Sequence, residues 1–262
     1  MVLFKIDLRK YLQQNHNQLT WKQRINIIEN IIRAVLRLHH ENSIHRDLHS
    51  GNILYSEYSY QWYISDFGFC GPADKPLESI YGNLPYIAPE VINGKGYTFA
   101  SDIYSIGMLM WEISSGQPPF ASFDHDDDLA INLLKGMRPQ IVQGTPTEYK
   151  NLMVQCWDAD PLKRPDIDTL DDKITEIQKS YYQIETDEGK TIVSNDGIFN
   201  SQFNTDINTT SNSYSSMVIN FSKTHIFDDL PEPRNASKGE LLKLLIGIIR
   251  LKYYHAYLFI YQ

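Results

Sequence analysis

Apolar residues recur at spacings of three and four from Ile25 through Ile28 and Ile32 to Val35, the pattern of a helix that buries one face. Thr20 stands just ahead, with Gln23 three positions on. A hydroxyl and an amide at that spacing form a capping box, each side chain satisfying a backbone donor that a helix start leaves unpaired. The pattern predicts a helix of about five turns ending near Asn42. Two short apolar runs follow, 52–55 and 62–65, parted by a polar bend, and predict a small hairpin. The stretch Ser101 to Ser115 is apolar nearly all round, which predicts a helix enclosed on every side. Amphipathic stretches at 129–135, 148–157 and 166–179 add further helices. The expected fold is mainly α (α+β), a helical bundle with one short β-hairpin.

The pattern fails beyond about residue 180. More than half of residues 191–224 are Ser, Thr or Asn, too polar to build a core, so 181–238 is expected to be a disordered linker. Residues 239–262 turn apolar again, but Lys243, Arg250, Lys252 and His255 leave no uncharged run of the length a membrane span requires, and stable membrane insertion is not expected.

Charge narrows the function classes. The 262 residues carry 24 Lys and Arg against 32 Asp and Glu, a net charge of −8. Nothing resembles the clustered cations that neutralise nucleic-acid phosphates, so no nucleic-acid partner is expected. The acidic run at 124–128 reads as a solvated loop. Two cysteines, Cys70 and Cys156, cannot make a disulfide framework and suit a reducing compartment. Lys5, Asp7, Arg9 and Lys10 interrupt any leader-like apolar run. The expected location is cytoplasmic.

The densest chemistry lies between the long helix and the hairpin, in "SIHRDLHSGNILY", residues 43–55. His45, Arg46 and Asp47 stand together, Asn52 follows five residues after Asp47, and Asp66-Phe67-Gly68 closes the second strand. Asp47 can act as a base, while Asn52 and Asp66 offer hard oxygens suited to Mg²⁺. Gly68 would let the chain swing away, since glycine tolerates positive φ. Five histidine or acidic residues crowd the same region, His39, His40, Glu41, His45 and His49, which invites a metal-hydrolase reading. A zinc helix needs two histidines four apart, and His40 to His45 is five.

The order H-R-D-L-x-x-x-N (45–52), D-F-G (66–68), A-P-E (88–90), D-x-x-S-x-G (102–107) and C-W-x-x-x-P-x-x-R-P (156–165) resembles the eukaryotic protein kinases. The resemblance covers residues 4–178, falls nearest the tyrosine-kinase-like serine/threonine branch, and implies the larger, C-terminal lobe of that fold for residues 1–180. It implies ATP and Mg²⁺ as cofactors and a protein substrate as partner. Asp47 would orient and deprotonate the acceptor hydroxyl; Asn52 and Asp66 would hold Mg²⁺. Leu54 would lie under adenine, Asp7 near the ribose. Arg46 would meet a phosphate in the activation segment, residues 66–90, where Ser79 and Tyr81 are candidate phosphosites. His45 would be structural, Glu90 would pair with Arg164, and Asp102 would cap the loop backbone.

The departures carry information too. His49 stands where serine/threonine kinases place a lysine against the γ-phosphate, and Asn83 stands for a threonine. No G-x-G-x-x-G occurs in the 262 residues, and the phosphate-gripping lysine and its glutamate are lacking. The chain is therefore expected to start inside the second lobe, with doubtful activity on its own. The alternative is a pseudokinase-like binding module or a truncated product without catalysis.

Overall fold

The computed structural model describes residues 4–72, 80–123, 127–187, 222–225, 230–237 and 240. Strand β1 (Phe4–Asp7) leads into helix α1 (Leu8–Asn15), whose first turn is capped by Asp7 accepting from the Lys10 N–H at 2.9 Å. Helix α2 (Trp21–His40) begins at Thr20 with both bonds of the capping box formed. It buries Ile25, Ile28, Ile32 and Val35, the stripe its spacing predicts, and ends where Asn42 turns left-handed at φ 53°. Strand β2 (Ser43–Ile44), the 45–52 loop and the hairpin β3 (Ile53–Ser56) and β4 (Gln61–Ile64) follow. The hairpin register pairs Ile53 with Ile64 and Leu54 with Tyr63.

Strand β1 adds a third member antiparallel to β3, giving the order β1-β3-β4. Sequence periodicity does not reveal this strand, because "FKID" is too short to carry a pattern and its partner lies about fifty residues away. Beyond the hairpin, β5 (Gly71–Pro72) pairs with β2, and β6 (Ile80–Gly82) precedes α3 (Pro89–Ile92).

Helix α4 (Phe99–Ser115) is the centre of the core. It buries all but four of its residues, each large apolar side chain contributing roughly 1.5–3 kcal/mol by burial. Helices α5 (Asp127–Leu134), α6 (Thr147–Cys156) and α7 (Ile167–Asp187) complete the bundle. Asp127 and Asp128 of the acidic run lie exposed in the first turn of α5, where a helix N-terminus favours negative charge; residues 124–126 lie outside the described residues. Cys70 and Cys156 are both free thiols. Among the described residues no helix is long and apolar enough to cross a membrane.

Two boundaries differ from the sequence expectation. Helix α7 continues past residue 180 to Asp187, since nothing in 180–187 breaks a helix. Within the polar stretch assigned to a linker, β7 (Lys223–His225) pairs antiparallel with β6, His225 opposite Ile80 and Lys223 opposite Gly82. Polarity excludes a core but not an added edge strand, whose main-chain bonds require no apolar side chains. The apolar segment 239–262 lies outside the described residues apart from Glu240.

Candidate active site

The loop between α2 and β3 is held from behind by one carboxylate. Asp102, in the first turn of α4 and 1% exposed, accepts the His45 N–H at 2.8 Å and the His39 ring nitrogen at 3.0 Å on Oδ2, and the Arg46 N–H at 3.0 Å on Oδ1. With those amides fixed, Arg46 takes a positive φ of 71°, a conformation that persists only where surroundings impose it. His45 is fully buried; its Nδ1 accepts the Asp47 N–H at 3.3 Å and its Nε2 donates to the Ser65 carbonyl at 3.1 Å.

Asp47 faces the opposite way. The Asn52 Nδ2 donates to the Asp47 backbone oxygen at 3.0 Å and to its Oδ2 at 3.4 Å, so the amide orients the carboxylate five residues before it. Burial pushes the Asp47 carboxyl above the ordinary range and the nearby Asp66 adds to this, against the lowering effect of its hydrogen bonds. Asp47 Oδ1 accepts a 2.7 Å hydrogen bond from the Ser222 hydroxyl, whose oxygen lies 3.0 Å from His49 Nε2. His49 Nδ1 accepts the Gly51 N–H at 3.1 Å. Burial, followed by the Arg9 charge, pushes the imidazole down to about 3, so at neutral pH it carries one proton, on Nε2. The donor order is therefore His49 Nε2–H to Ser222 Oγ, then Ser222 O–H to Asp47 Oδ1.

The hairpin delivers Asp66. The Asn52 carbonyl accepts both the Ser65 N–H at 2.8 Å and the Ser65 hydroxyl at 3.0 Å, continuing the β3–β4 register and bringing Asp66 beside the loop. Asp66 itself, not Gly68, holds the positive φ, 60° with ψ 69°. The sequence expectation at Gly68 is thus corrected: the turn is made at Asp66, and a Cβ on Gly68 would stand 3.3 Å from Asp66 Oδ1, so what the glycine gives is room for that carboxylate. Asp66 is exposed and accepts only the Gly68 N–H at 3.4 Å among the described residues.

This donor set fits a small hard cation. The Asn52 NH₂ is committed to Asp47, leaving its Oδ1 to point elsewhere, and the Asp66 oxygens are nearly uncommitted. Mg²⁺ characteristically takes one or two protein oxygens and fills its octahedron with phosphate and water. The five crowded histidine and acidic residues do not converge: His39 lies on Asp102, His40 bonds Asp168 at 2.9 Å, and His45 and His49 have the partners given above. No group of three or more His, Cys, Asp or Glu suited to a metal occurs among the described residues.

The remaining predicted residues fall around this centre. Leu54 lies in β3 between Asp7 of β1 and Tyr63 of β4. Asp7 is committed to the α1 cap and a 3.1 Å pair with Lys10. Arg46 meets backbone in the described residues: its guanidinium donates to the carbonyls of Phe69 at 3.2 Å and Pro72 at 2.8 Å. Tyr81 stacks on Phe69 with centroids 3.6 Å apart, and its main chain is bonded by the Tyr97 hydroxyl. Ser79 lies outside the described residues. Glu90 and Arg164 form a buried two-bond pair, both at 2.7 Å, and Arg164 also donates to the carbonyls of Ala100 and Asp158 at 2.8 Å.

Several participants lie outside the sequence motifs. Gly82, at φ 138°, is pressed so close that a Cβ would meet Asp47 Oδ1 at 3.3 Å. A buried network joins the loop to α4: Glu112 accepts the Ser50 hydroxyl at 2.8 Å and the Tyr86 hydroxyl at 2.5 Å, with Arg9 3.8 Å away. A glutamate inside the most apolar helix was the available signal for that network. Ser222 offered none, being one serine in a serine-rich stretch. A cavity of about 410 Å³ is lined by Lys95, Asp160, Glu232 and Arg234, and by none of the loop residues.

A buried carboxylate, an amide and a second, exposed carboxylate thus stand together at the foot of a hairpin, anchored to a buried helix. The family model for protein tyrosine and serine/threonine kinases matches residues 3–174, and the chain belongs to that family. Similar proteins include the dual specificity protein kinases zakA and zak2 of Dictyostelium discoideum. The first is 31% identical, covering 67% of this chain and 25% of the relative; the second is 32% identical, covering 61% and 29%. The dual serine/threonine and tyrosine protein kinase of Macaca mulatta is 35% identical over 56% of this chain and 16% of its own length. The chain thus spans less than a third of the curated relatives it matches.

Proposed function

We propose that residues 4–187 are the C-terminal catalytic lobe of a cytoplasmic protein kinase that transfers the γ-phosphate of ATP to serine or threonine of a protein substrate. The observation that carries this reading is the 2.7 Å hydrogen bond from a serine hydroxyl to Asp47, a carboxylate whose proton affinity burial has raised. Asp47 takes the acceptor proton, Asn52 fixes its orientation, and neutral His49 steadies the acceptor oxygen from the other side. Asn52 and Asp66 would hold Mg²⁺, which when bound neutralises triphosphate charge. Leu54 would support the adenine and Asp7, if released from Lys10, would reach the ribose. A phosphate at Ser79 or Tyr81 would compete with the backbone carbonyls for Arg46.

The lack of any G-x-G-x-x-G in the 262 residues supports a second statement: these residues alone bind MgATP weakly and turn it over little, because positioning and electrostatics supply most of the acceleration in phosphoryl transfer. Calorimetry with MgATP tests this, and submicromolar affinity would overturn it. The catalytic reading is tested by joining residues 4–187 to the nucleotide-binding lobe of a related kinase. Label from ATP should appear on Ser and Thr of a mixed protein substrate, and Asp47→Asn should lower the rate by about 10²- to 10⁴-fold. Transfer to tyrosine alone would reverse the acceptor assignment, and transfer indifferent to Asp47→Asn would remove the base.

A further inference from the structure

We propose that residues 222–225 are a tethered occupant of this chain's own acceptor-peptide groove, seated where an extended protein substrate must lie. The inference rests on the reading of Asp47 as the base, and it adds what occupies that base and how a substrate is aligned on it.

Three independent contacts set the segment there. Ser222 puts its hydroxyl between Asp47 Oδ1 at 2.7 Å and His49 Nε2 at 3.0 Å, so one carboxylate receives its proton while one imidazole donates to its oxygen. The contact with the carboxylate is the one an attacking hydroxyl needs from a base, and an edge strand added only for stability does not need it. The main chain beyond Ser222 then pairs antiparallel with Ile80–Gly82. This is the strand-addition mode of peptide recognition, in which backbone bonds hold the ligand and alternate side chains are read. Finally, His225 is buried with its Nε2 3.0 Å from the Gly82 carbonyl, whereas Lys223 and Thr224 face outward. Gly82 links the two ends, since its missing Cβ lets β6 approach Asp47 closely enough to hold strand and hydroxyl together.

The same geometry names the substrate class. The groove takes an extended peptide antiparallel to residues 80–82, with a hydroxyl on Asp47, two positions open to solvent, and a third side chain that fills the place of His225. Residues 222–225 must leave before such a peptide enters.

The test uses the full 262-residue chain without nucleotide and reads hydrogen exchange of the Ile80 and Gly82 amides, since the Tyr81 N–H is held by the Tyr97 hydroxyl. Ser222→Asp sets a second carboxylate against Asp47, and exchange at Ile80 and Gly82 should accelerate by at least about tenfold through like-charge expulsion of the strand. Adding Asp47→Asn to the same chain should restore protection, because the amide can donate to the new carboxylate. The amides of α4 should stay protected in every variant, which separates strand release from general unfolding. In the Ser222→Asp chain, a fluorescent peptide of residues 220–227 should bind in trans, and it should not bind the unaltered chain. Unchanged exchange in Ser222→Asp, failure of Asp47→Asn to rescue it, or equal peptide binding by both chains would overturn the proposal. Absence of phosphate transfer by the joined two-lobe protein, with these exchange results intact, would instead sink the catalytic reading and leave the occupied groove standing.

Discussion

Two carboxylates, Asp102 and Asp66, belong to the same small region and are opposites in commitment. Asp102 is 1% exposed and accepts three donors, two of them loop amides. Asp66 is exposed, sits at positive φ and accepts one long bond. The buried pair of Glu90 and Arg164 shares the first condition, since both glutamate oxygens are met at 2.7 Å. The difference separates scaffold from site on physical grounds. A buried charge with both oxygens met by donors and no access to solvent has little capacity for a ligand and a large cost of disruption. An exposed one with lone pairs to spare has the reverse, and Asp47 stands between, buried but with one oxygen given over to a hydroxyl.

The scaffold side should break hardest. Arg164→Met leaves Glu90 buried without its cation, and the stability lost in urea unfolding should be about 3–5 kcal/mol. Replacing both members, Glu90→Met with Arg164→Met, should recover much of that loss, since two apolar side chains of similar volume leave no orphaned charge. A double variant as unstable as the single one would mean that the other Arg164 bonds, to Ala100 and Asp158, hold the segment instead.

His49 probes the boundary between the two sides. In the folded chain its imidazole stays neutral down to about 3, whereas an unfolded histidine protonates near 6.5. Between those values the unfolded state binds more protons, so stability falls as pH drops through that window, by about 1.4 kcal/mol per pH unit at most. The loss at pH 4.5 should reach about 2–3 kcal/mol relative to pH 7. His49→Gln removes the titrating group and should flatten that part of the profile. An unchanged slope would assign the acid sensitivity to another buried group.

What the sequence made legible follows the range of the interactions. The capping box at Thr20 and Gln23, the stripe from Ile25 to Val35 and the enclosure of 101–115 are set within a few turns of helix, and the structure has all three. The hairpin was also local enough to read from its two short apolar runs, and its register carries Asp66 to Asn52 by simple continuation. Strand β1, the Glu112 network and β7 were not legible. Each depends on partners tens of residues distant: Ser50 lies 62 positions from Glu112, and Ser222 lies 175 from Asp47. The positive φ went to Asp66 although a glycine stood two positions away, because the requirement was for space beside a carboxylate as much as for backbone freedom. Composition misled at 222–225, where polarity argues against burial and says nothing about main-chain pairing.

The smallest expected change in stability is at Asp66, and there it is most informative. Asp66→Asn keeps a side chain that tolerates the left-handed region and can still accept from the Gly68 N–H. No buried partner is orphaned, so unfolding free energy should move by less than about 0.5 kcal/mol. The lost negative charge, however, belongs to one of the two side chains proposed above to hold a divalent ion. Mn²⁺-dependent nucleotide binding by the joined two-lobe protein, followed through the metal's paramagnetic signal, should therefore weaken strongly in Asp66→Asn while the melting profile stays in place. A stability loss comparable to that of Arg164→Met would put Asp66 on the scaffold side and erase the distinction. Unaltered metal binding would leave an exposed, strained carboxylate that the fold holds for some other ligand.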